Sequence, residues 1–406
     1  MKPSLLDIED AIALILAYCN NPIALMNTCH RLVLSLLVLF VLAACRSDAT
    51  PVAPKATLQP SGSDAGQQLL VLPDDGVQPI LDLIDSAEES IRFKIYLLTY
   101  RDVKAALVQA ANRGVDVRVI IEKNPTGGGA SNQESYDQLV EGGVTVRWAP
   151  PPYRLTHEKT LVVDDRIALT GTFNYTNSSF NGNREYGLLT DQPVLVSDIA
   201  VVFDADWDEK QPELVSDSPI VLSPTTSRDT IQSLIDSAKD TLWLEQSTLL
   251  DDEVTDRLVD AAERGVDVRF IGPLRQNEDD YARANHERLR AAGGQVALLS
   301  DPLVHAKVIV ADGQEALIGS INLTYSSMDL NREMGVLTED AGVLRRLVET
   351  LQADWQSAGQ LVEAPDGVIP WQEAENYVGA EVTVTGDIVR TYDSSKVTFL
   401  NFDDDY

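Results

Sequence analysis

Cysteine is nearly absent from this chain, and what there is lies near the amino terminus. Cys19, Cys29 and Cys45 are the only three, so nothing after position 45 can form a disulfide or a thiolate metal site. Histidine is scarce too, with four in 406 residues. Basic residues are outnumbered 32 to 63, which leaves a net charge of −31. A field of that sign repels nucleic acid and anionic membranes unless a local basic pocket overrides it; it also serves simply as a solubilising surface. Long apolar runs are missing. The run LVLSLLVLFVL at 32–42 is short for a membrane span and has the size of a signal-peptide core. The remainder is ordinary for a globular protein, 44% hydrophobic and 23% charged, with chain enough for two or three domains.

His30 and Arg31 precede the apolar run, and LAAC (42–45) follows it. This pattern resembles a bacterial lipoprotein signal. The resemblance implies that Cys45 is lipidated and becomes the mature amino terminus; the alternative is a short anchor that is never cleaved. Either way the body is expected outside the cytoplasm, held to a membrane at the cell surface or in the periplasm. Asp7, Glu9 and Asp10 suit a signal poorly, so translation is expected to begin at Met26. Residues 1–45 thus read as a signal/lipoprotein segment. Residues 46–66, rich in Pro, Ser, Ala and Gly without periodicity, read as a flexible tether.

The body repeats itself. LIDSA stands at 83–87 and at 234–238, and RGVDVR at 113–118 and at 264–269, both 151 residues apart. Further on the spacing becomes 148 and holds: His157 with His305, Lys159 with Lys307, Asp164 with Asp312, Gly171 with Gly319, Asn174 with Asn322, NRE 183–185 with NRE 331–333, Trp207 with Trp355. So many identities in one register mark a duplicated domain, with copies at 67–215 and 216–360 and a period too long for a solenoid.

Each copy alternates helix and strand. VQPILDLIDSAEESI reads as a helix, RFKIYLL as a strand, and VKAALVQAANR as a helix stopped by Gly114; VDVRVII is a short buried strand, and a further helix-like stretch ends at EGG (141–143). A hairpin follows, turning at Asp164-Asp165 in one copy and at Asp312-Gly313 in the other. The copies end in helices, VSDIAVVFDADW and VLRRLVETLQADW. The fold class expected is α/β: two homologous domains with a largely parallel or mixed sheet, and a short β-rich carboxyl-terminal segment.

The repeated residues carry chemistry. On a strand, positions i and i+2 face one way, so His157 projects with Lys159, and His305 with Lys307. The returning strand brings Asn174 or Asn322 back near the start of its hairpin. If the copies meet about a pseudo-two-fold axis, one pocket holds two imidazoles, two ammoniums and two amides. Such a set can bind the non-bridging oxygens of a phosphate and stabilise charge at phosphorus, with one histidine attacking and the other protonating the leaving alkoxide. The imidazoles need a carboxylate on one nitrogen to fix the tautomer, and Glu185 and Glu333 of the NRE segments are the candidates.

HEKTLVVDDRIALTGTFN (157–174) and HAKVIVADGQEALIGSIN (305–322) fit the pattern His-x-Lys-x4-Asp-x6-Gly-Ser/Thr-x-Asn, which resembles that of the phospholipase D superfamily over about residues 67–360. Thr172 stands where the second copy has Ser320, so a hydroxyl is kept. The resemblance implies a bilobal fold with the site between the lobes, a phosphohistidine intermediate, and no catalytic metal or cofactor. It implies His157 as nucleophile and His305 as acid and later base, roles the residues themselves do not separate. It makes Asp164 and Asp312 supports of the hairpin more than substrate contacts. His286, without a counterpart, reads as an exposed helix residue.

After GQLVEAPDGVIP (359–370), which reads as a Pro/Gly-containing linker, the pattern changes to EVTVTGDIV (381–389) and SSKVTFLNF (394–402). Residues 371–406 resemble the start of a small OB-fold-like module, with too few strands to close a barrel; a plain β extension is the alternative. The function expected is a phosphodiesterase that hydrolyses or transfers phospholipid headgroups, with phospholipid as substrate and the membrane reached through the lipid anchor. Nucleic acid is the alternative substrate, for which Tyr377, Tyr392, Phe399 and Phe402 of the tail could offer stacking platforms. A surface lipoprotein that binds phosphorylated ligands without turnover is the third reading. No obligate protein partner is implied.

Overall fold

The computed structural model describes residues 66–126, 131–275, 279–360, 367–372, 382–393 and 398–401. The signal segment, Cys45 and nearly all of the tether lie outside them. The first half runs β1 (Gln67–Leu72), α1 (Gln78–Asp85), β2 (Ser90–Ile95), α2 (Arg101–Arg113), β3 (Asp116–Ile121), α3 (Gln133–Glu141), β4 (Thr145–Trp148), β5 (Thr160–Val163), β6 (Ile167–Gly171), α4 (Asn177–Asn181), β7 (Asn183–Thr190) and α5 (Pro193–Trp207). The second half repeats the scheme with β8 (Ile220–Ser223), α6 (Ser227–Ser237), β9 (Thr241–Gln246), α7 (Asp252–Glu263), β10 (Asp267–Pro273), α8 (Asp280–Ala291) and β11 (Gln295–Leu299). It continues through β12 (Leu303–Val304), β13 (Lys307–Ala311), β14 (Glu315–Gly319), α9 (Tyr325–Asp329), β15 (Glu333–Thr338) and α10 (Ala341–Ser357), and β16 (Gly359–Gln360) follows.

The α/β class expected from the sequence is the one observed. The first sheet is ordered β1-β7-β6-β5-β2-β3-β4, and the second β16-β11-β10-β9-β13-β14-β15-β8. Both are mixed: β2, β3 and β4 pair in parallel, as do β9, β10 and β11, whereas the hairpins pair antiparallel. Helix α2 buries Val103, Ala106, Leu107 and Ala110, a spacing that draws one stripe down its side. It stops at Gly114, whose φ of 96° lies where a Cβ is disfavoured.

The central hairpins show why their sequences are apolar throughout. Leu161 and Val163 of β5 join the core under α1 and α2, whereas Val162 faces the other way into a core shared by both halves. In β13, Ile309 and Ala311 face their own helices, and Val308 and Val310 enter the shared core. Both faces of each sheet are covered, so alternation gives way to continuous apolar runs. Val308, Ile318, Met334 and Val336 meet Val162, Leu188 and Val196 in that shared core. Each fully buried side chain of this size contributes about 1.5–3 kcal/mol. The two halves are therefore held as one body at the level of the active hairpins.

Two expectations change. His286 is not an exposed helix residue: it is 3% exposed, and its ring packs against Phe270 at 4.9 Å. The charged run around it masks an inward-facing position on α8. In the tail, β17 (Val368–Pro370) pairs in parallel with β18 (Thr383–Thr385), and β19 (Arg390–Asp393) pairs antiparallel with β20 (Thr398–Asn401). Strand structure thus begins within the stretch read as linker. Tyr377 and Phe402 lie outside the described residues, as do the side chains of Tyr392 and Phe399. Among the described residues no helix is long and apolar enough to cross a membrane.

Candidate active site

Each histidine is hung on the opposite half. Strand β12, which leads to His305, leaves its own sheet to pair in parallel with β7, Leu303 beside Asn183 and Val304 beside Arg184. The reciprocal contact is a parallel bridge between Thr156 and Arg332. The His157 amide N–H donates to the Arg332 carbonyl at 2.8 Å, and that of His305 to the Arg184 carbonyl at 3.1 Å. For this reason neither histidine lies within its hairpin strand, which begins at Thr160 in the first copy and at Lys307 in the second.

The side chains cross in the same way. His157 Nδ1 lies 2.8 Å from Glu333 Oε2, and His305 Nδ1 lies 2.8 Å from Glu185 Oε1. Both carboxylates are fully buried. Glu185 Oε2 accepts from the Thr172 hydroxyl at 2.6 Å. Glu333 Oε1 accepts from the Ser327 hydroxyl at 2.5 Å and from the Asn331 amide at 3.3 Å. An ionised carboxylate only accepts, so each Nδ1 carries the proton and each Nε2 keeps its lone pair.

The lysines complete the cluster. Lys159 Nζ donates to the His157 carbonyl, and Lys307 Nζ to the His305 carbonyl. Lys307 Nζ also lies 3.3 Å from His305 Nε2. The groups around the two histidines are not symmetric. Tyr96 sets its ring edge-on to His157 at 4.5 Å and lies under the Lys159 ammonium at 5.2 Å. At the equivalent place in the other half, Ser247 donates to Asn322 Oδ1 at 2.6 Å. Among the described residues Asn174 Oδ1 is buried without a hydrogen-bond partner, an acceptor that awaits a donor.

Burial dominates the electrostatics. It pushes the His157 imidazole down to about 4; Glu333 pulls the other way and Lys159 adds to the push. Burial lowers His305 as well, against the pull of Glu185 and with the help of Lys307. The His157 side chain is 11% exposed and that of His305 25%, so the first imidazole is the more shielded. Burial likewise brings Lys159 down to about 7 and Lys307 to about 8. For Glu185 and Glu333 burial opposes ionisation, but the paired histidine and the nearby lysine outweigh it and hold both below the ordinary range. Two carboxylates and two ammoniums cancel. An arriving phosphodiester anion favours the charged lysines and draws them back toward full protonation.

The motif aspartates sit elsewhere. Asp164 receives the backbone N–H groups of Glu88 at 3.0 Å, Glu89 at 2.7 Å and Ser90 at 2.8 Å. Asp312 does the same for Lys239, Asp240 and Thr241. Their φ values of 54° and 52° supply the left-handed conformation that a tight hairpin turn needs. Ser320 bonds the backbone of Met334. Sequence reasoning missed Tyr96 and Ser247, which occupy equivalent positions with different chemistry, and Ser327, whose counterpart Ser179 repeats the hydroxyl but lies against Thr176. It also missed the arginines within NRE, although their duplication was visible. Among the described residues no group of three or more His, Cys, Asp or Glu side chains gathers as a metal site.

Known proteins resemble this chain in sequence and in fold. Residues 80–207 and 231–355 match the family described as "Cardiolipin synthase, PLD-like domain". The cardiolipin synthase A of Pectobacterium carotovorum subsp. carotovorum (strain PC1) is 24% identical over 344 residues, 73% of this chain and 70% of its own. The cardiolipin synthase of Geobacillus kaustophilus (strain HTA426) is 25% identical over 323 residues, 68% of this chain and 64% of its own. Among solved structures, the phosphatidylserine synthase of Haemophilus influenzae Rd KW20 superposes with a TM-score of 0.58 at 16% identity, covering 73% of this chain and 87% of that one. Polyphosphate kinase from Porphyromonas gingivalis gives 0.59 at 19% identity, covering 77% and 53%. At such identities these two structures speak for the fold alone.

Proposed function

The chain belongs to the phospholipase D-like family of cardiolipin synthase type, and we propose that it cleaves the headgroup phosphodiester of a phospholipid through a phosphohistidine. The crossed pairs His157–Glu333 and His305–Glu185 carry this reading, because each leaves an Nε2 lone pair free and both imidazoles feel both Lys159 and Lys307. His157 Nε2 attacks phosphorus, the bond to the leaving alkoxide breaks, and His305 delivers the proton to that oxygen. Lys159, Lys307, Asn174 and Asn322 hold the non-bridging oxygens as charge builds. In the second half-reaction His305 takes a proton from the acceptor hydroxyl, its oxygen attacks phosphorus, and the N–P bond breaks. An alcohol as acceptor gives transfer and water gives hydrolysis.

The deeper burial of His157 supports it as nucleophile, and the more open His305 suits the group that meets leaving and entering alcohols. The relatives named cardiolipin synthase favour phospholipid as substrate. The signal-like run at 32–42 and Cys45 support a lipid-anchored, extracytoplasmic protein. The test is a substrate panel with the full chain in detergent and EDTA: phosphatidylglycerol, phosphatidylcholine and single-stranded DNA, each against His157→Ala and His305→Ala. Headgroup release lost in both variants supports the reading, and the lipid product identifies the acceptor. Cleavage of DNA with lipid untouched would replace lipid by nucleic acid, and no cleavage at all would leave a binding protein.

A further inference from the structure

Arg184 and Arg332 stand one position before the carboxylates that hold the histidines, and both are buried. Both side chains reach the opposite half, and that of Arg184 also holds its own half. Arg184 Nε and Nη2 hold Asp354 Oδ2 at 2.6 Å and Oδ1 at 3.0 Å, while Nη1 holds the Leu72 carbonyl and Asp74, each at 3.0 Å. Arg332 Nε holds Asp206 Oδ2 at 2.9 Å. Asp354 and Asp206 lie in the last turns of α10 and α5. Each NRE segment therefore grips the other half three times: by the arginine side chain, by the arginine carbonyl under the histidine N–H, and by the glutamate under the imidazole.

The two grips differ at several equivalent positions, Glu158 matching Ala306, Tyr186 matching Met334 and Asp74 matching Thr225, and at one more the buried charge is reversed. Beside Asp206, Lys94 Nζ makes contacts of 2.6 Å to Asp206 and 3.1 Å to Glu158, so two cations face two anions. The matching place in the other half is Glu245: Lys94 lies opposite Thr160 in its sheet, and Glu245 opposite Val308. Glu245 is fully buried and accepts from the Tyr186 hydroxyl at 2.5 Å. The charged and titratable groups facing it are Asp354 from α10 and Arg184 and Tyr186 from β7, with Asp74 at the outer edge of Arg184. Its neighbours in the sheet, Ile271 and Val308, are apolar. One guanidinium cannot balance Asp354, Asp74 and a further buried carboxylate. Burial pushes Glu245 up to about 8, and Asp354 adds to the push. Near neutrality it holds a proton.

We propose that Arg184 and Glu245 are positioning residues of the His305 half-site. With Glu245 protonated, Arg184 is bound to Asp354 and keeps Glu185 under His305. When Glu245 ionises it competes for Arg184, and this half-site alone loosens. The His157 half-site, with Lys94 in that place, has no such dependence. The kinetic consequence rests on the function proposed above; the positional one does not.

The test is histidine-selective ¹⁵N NMR on the full chain in detergent, without substrate. Its four histidines are assigned with variants at 157 and 305. Lys159 and Lys307 titrate in the same range in every variant, so the difference between wild type and Glu245→Gln is what reports Glu245. The His305 signals should coincide at about pH 7, because glutamine copies the protonated acid, and diverge at about pH 9.5, while the His157 signals coincide at both. Coincidence at both pH values, a difference as large near neutrality, or an equal response at His157 each overturns the proposal. In kinetics, Arg184→Lys should lower kcat about tenfold with KM within about twofold. If the NMR pattern holds and no diester is cleaved by any variant, the positioning role stands and the proposed function falls.

Discussion

Glu333→Gln is the substitution that the crossed geometry makes most informative. The Ser327 hydroxyl and the Asn331 amide both donate to Oε1. In the glutamine that atom must remain an oxygen, so the new amide nitrogen faces His157 and donates to Nδ1. The imidazole proton then moves to Nε2, the atom that has to attack phosphorus. Forcing the wrong tautomer on a carboxylate-oriented histidine costs about 10⁴-fold in kcat, or about 5.5 kcal/mol of barrier. Folding should lose only about 1–3 kcal/mol, because the shape and most hydrogen bonds persist. First-turnover rates of alcohol release, which precede the step that uses His305 as base, are compared on an aryl diester whose leaving group needs no proton and on an alkyl diester that does. Glu333→Gln should cripple both, since it strikes the attack itself. Glu185→Gln should cripple the alkyl diester and largely spare the aryl one, since it strikes the proton donor His305. A folded Glu333→Gln protein within about tenfold of wild type would refute the tautomer argument, and an aryl rate lost through Glu185→Gln instead would refute the crossing.

The pH dependence has a definite sign. Attack requires neutral His157, so kcat/KM should fall as pH drops through about 4. Proton donation requires charged His305, whose folded value is lowered from 6.5, so kcat/KM should also fall on the alkaline side, from below 6.5; an acid limb at or above 6 would contradict the burial of His157. The same depression means that the stability linked to His157 is present above its unfolded value and lost as pH falls through its folded one, which acid denaturation of wild type against His157→Gln measures. Asp164→Ala strips three backbone donors of a charged acceptor and should destabilise by about 3 kcal/mol in urea unfolding. Asp312→Ala should cost less, because water can replace the more exposed carboxylate; the reverse order would contradict this account of the turn.

Much of this site was legible because it is written twice. The His-x-Lys pairs, the asparagines, the NRE glutamates and the hairpin turns all recur in one register, and recurrence identified them without any structure. What could not be read was which partner each residue takes. Glu185 and Glu333 were visible as orienting groups, but sequence spacing does not show that each serves the other half's histidine; that follows from β12 crossing to β7 and from the bridge between Thr156 and Arg332. Arg184 and Arg332 were equally duplicated, yet their meaning depends on Asp354 and Asp206, far off in the chain and close only once the halves pack. Lys94 and Glu245 mark the opposite case. There the copies differ, and a comparison that seeks identities passes over the one position where opposite charge is buried. His286 was misread for a related reason: on α8 the flanking Glu287, Arg288 and Arg290 dominate the pattern, while the packing of one face against Phe270 leaves no periodic trace in so polar a helix.

The central claim is that phosphorus becomes bonded to His157 while His305 only carries protons. The direct measurement is to mix His305→Ala, full chain in detergent, with the aryl diester, quench in alkali to preserve acid-labile phosphoramidate, and map the modified peptide by mass spectrometry. The added phosphoryl group should appear on His157 and should be absent from that peptide when Glu333→Gln is introduced as well. Modification elsewhere, or turnover of the aryl diester by His157→Ala with the label on His305, would contradict the assignment of the two histidines.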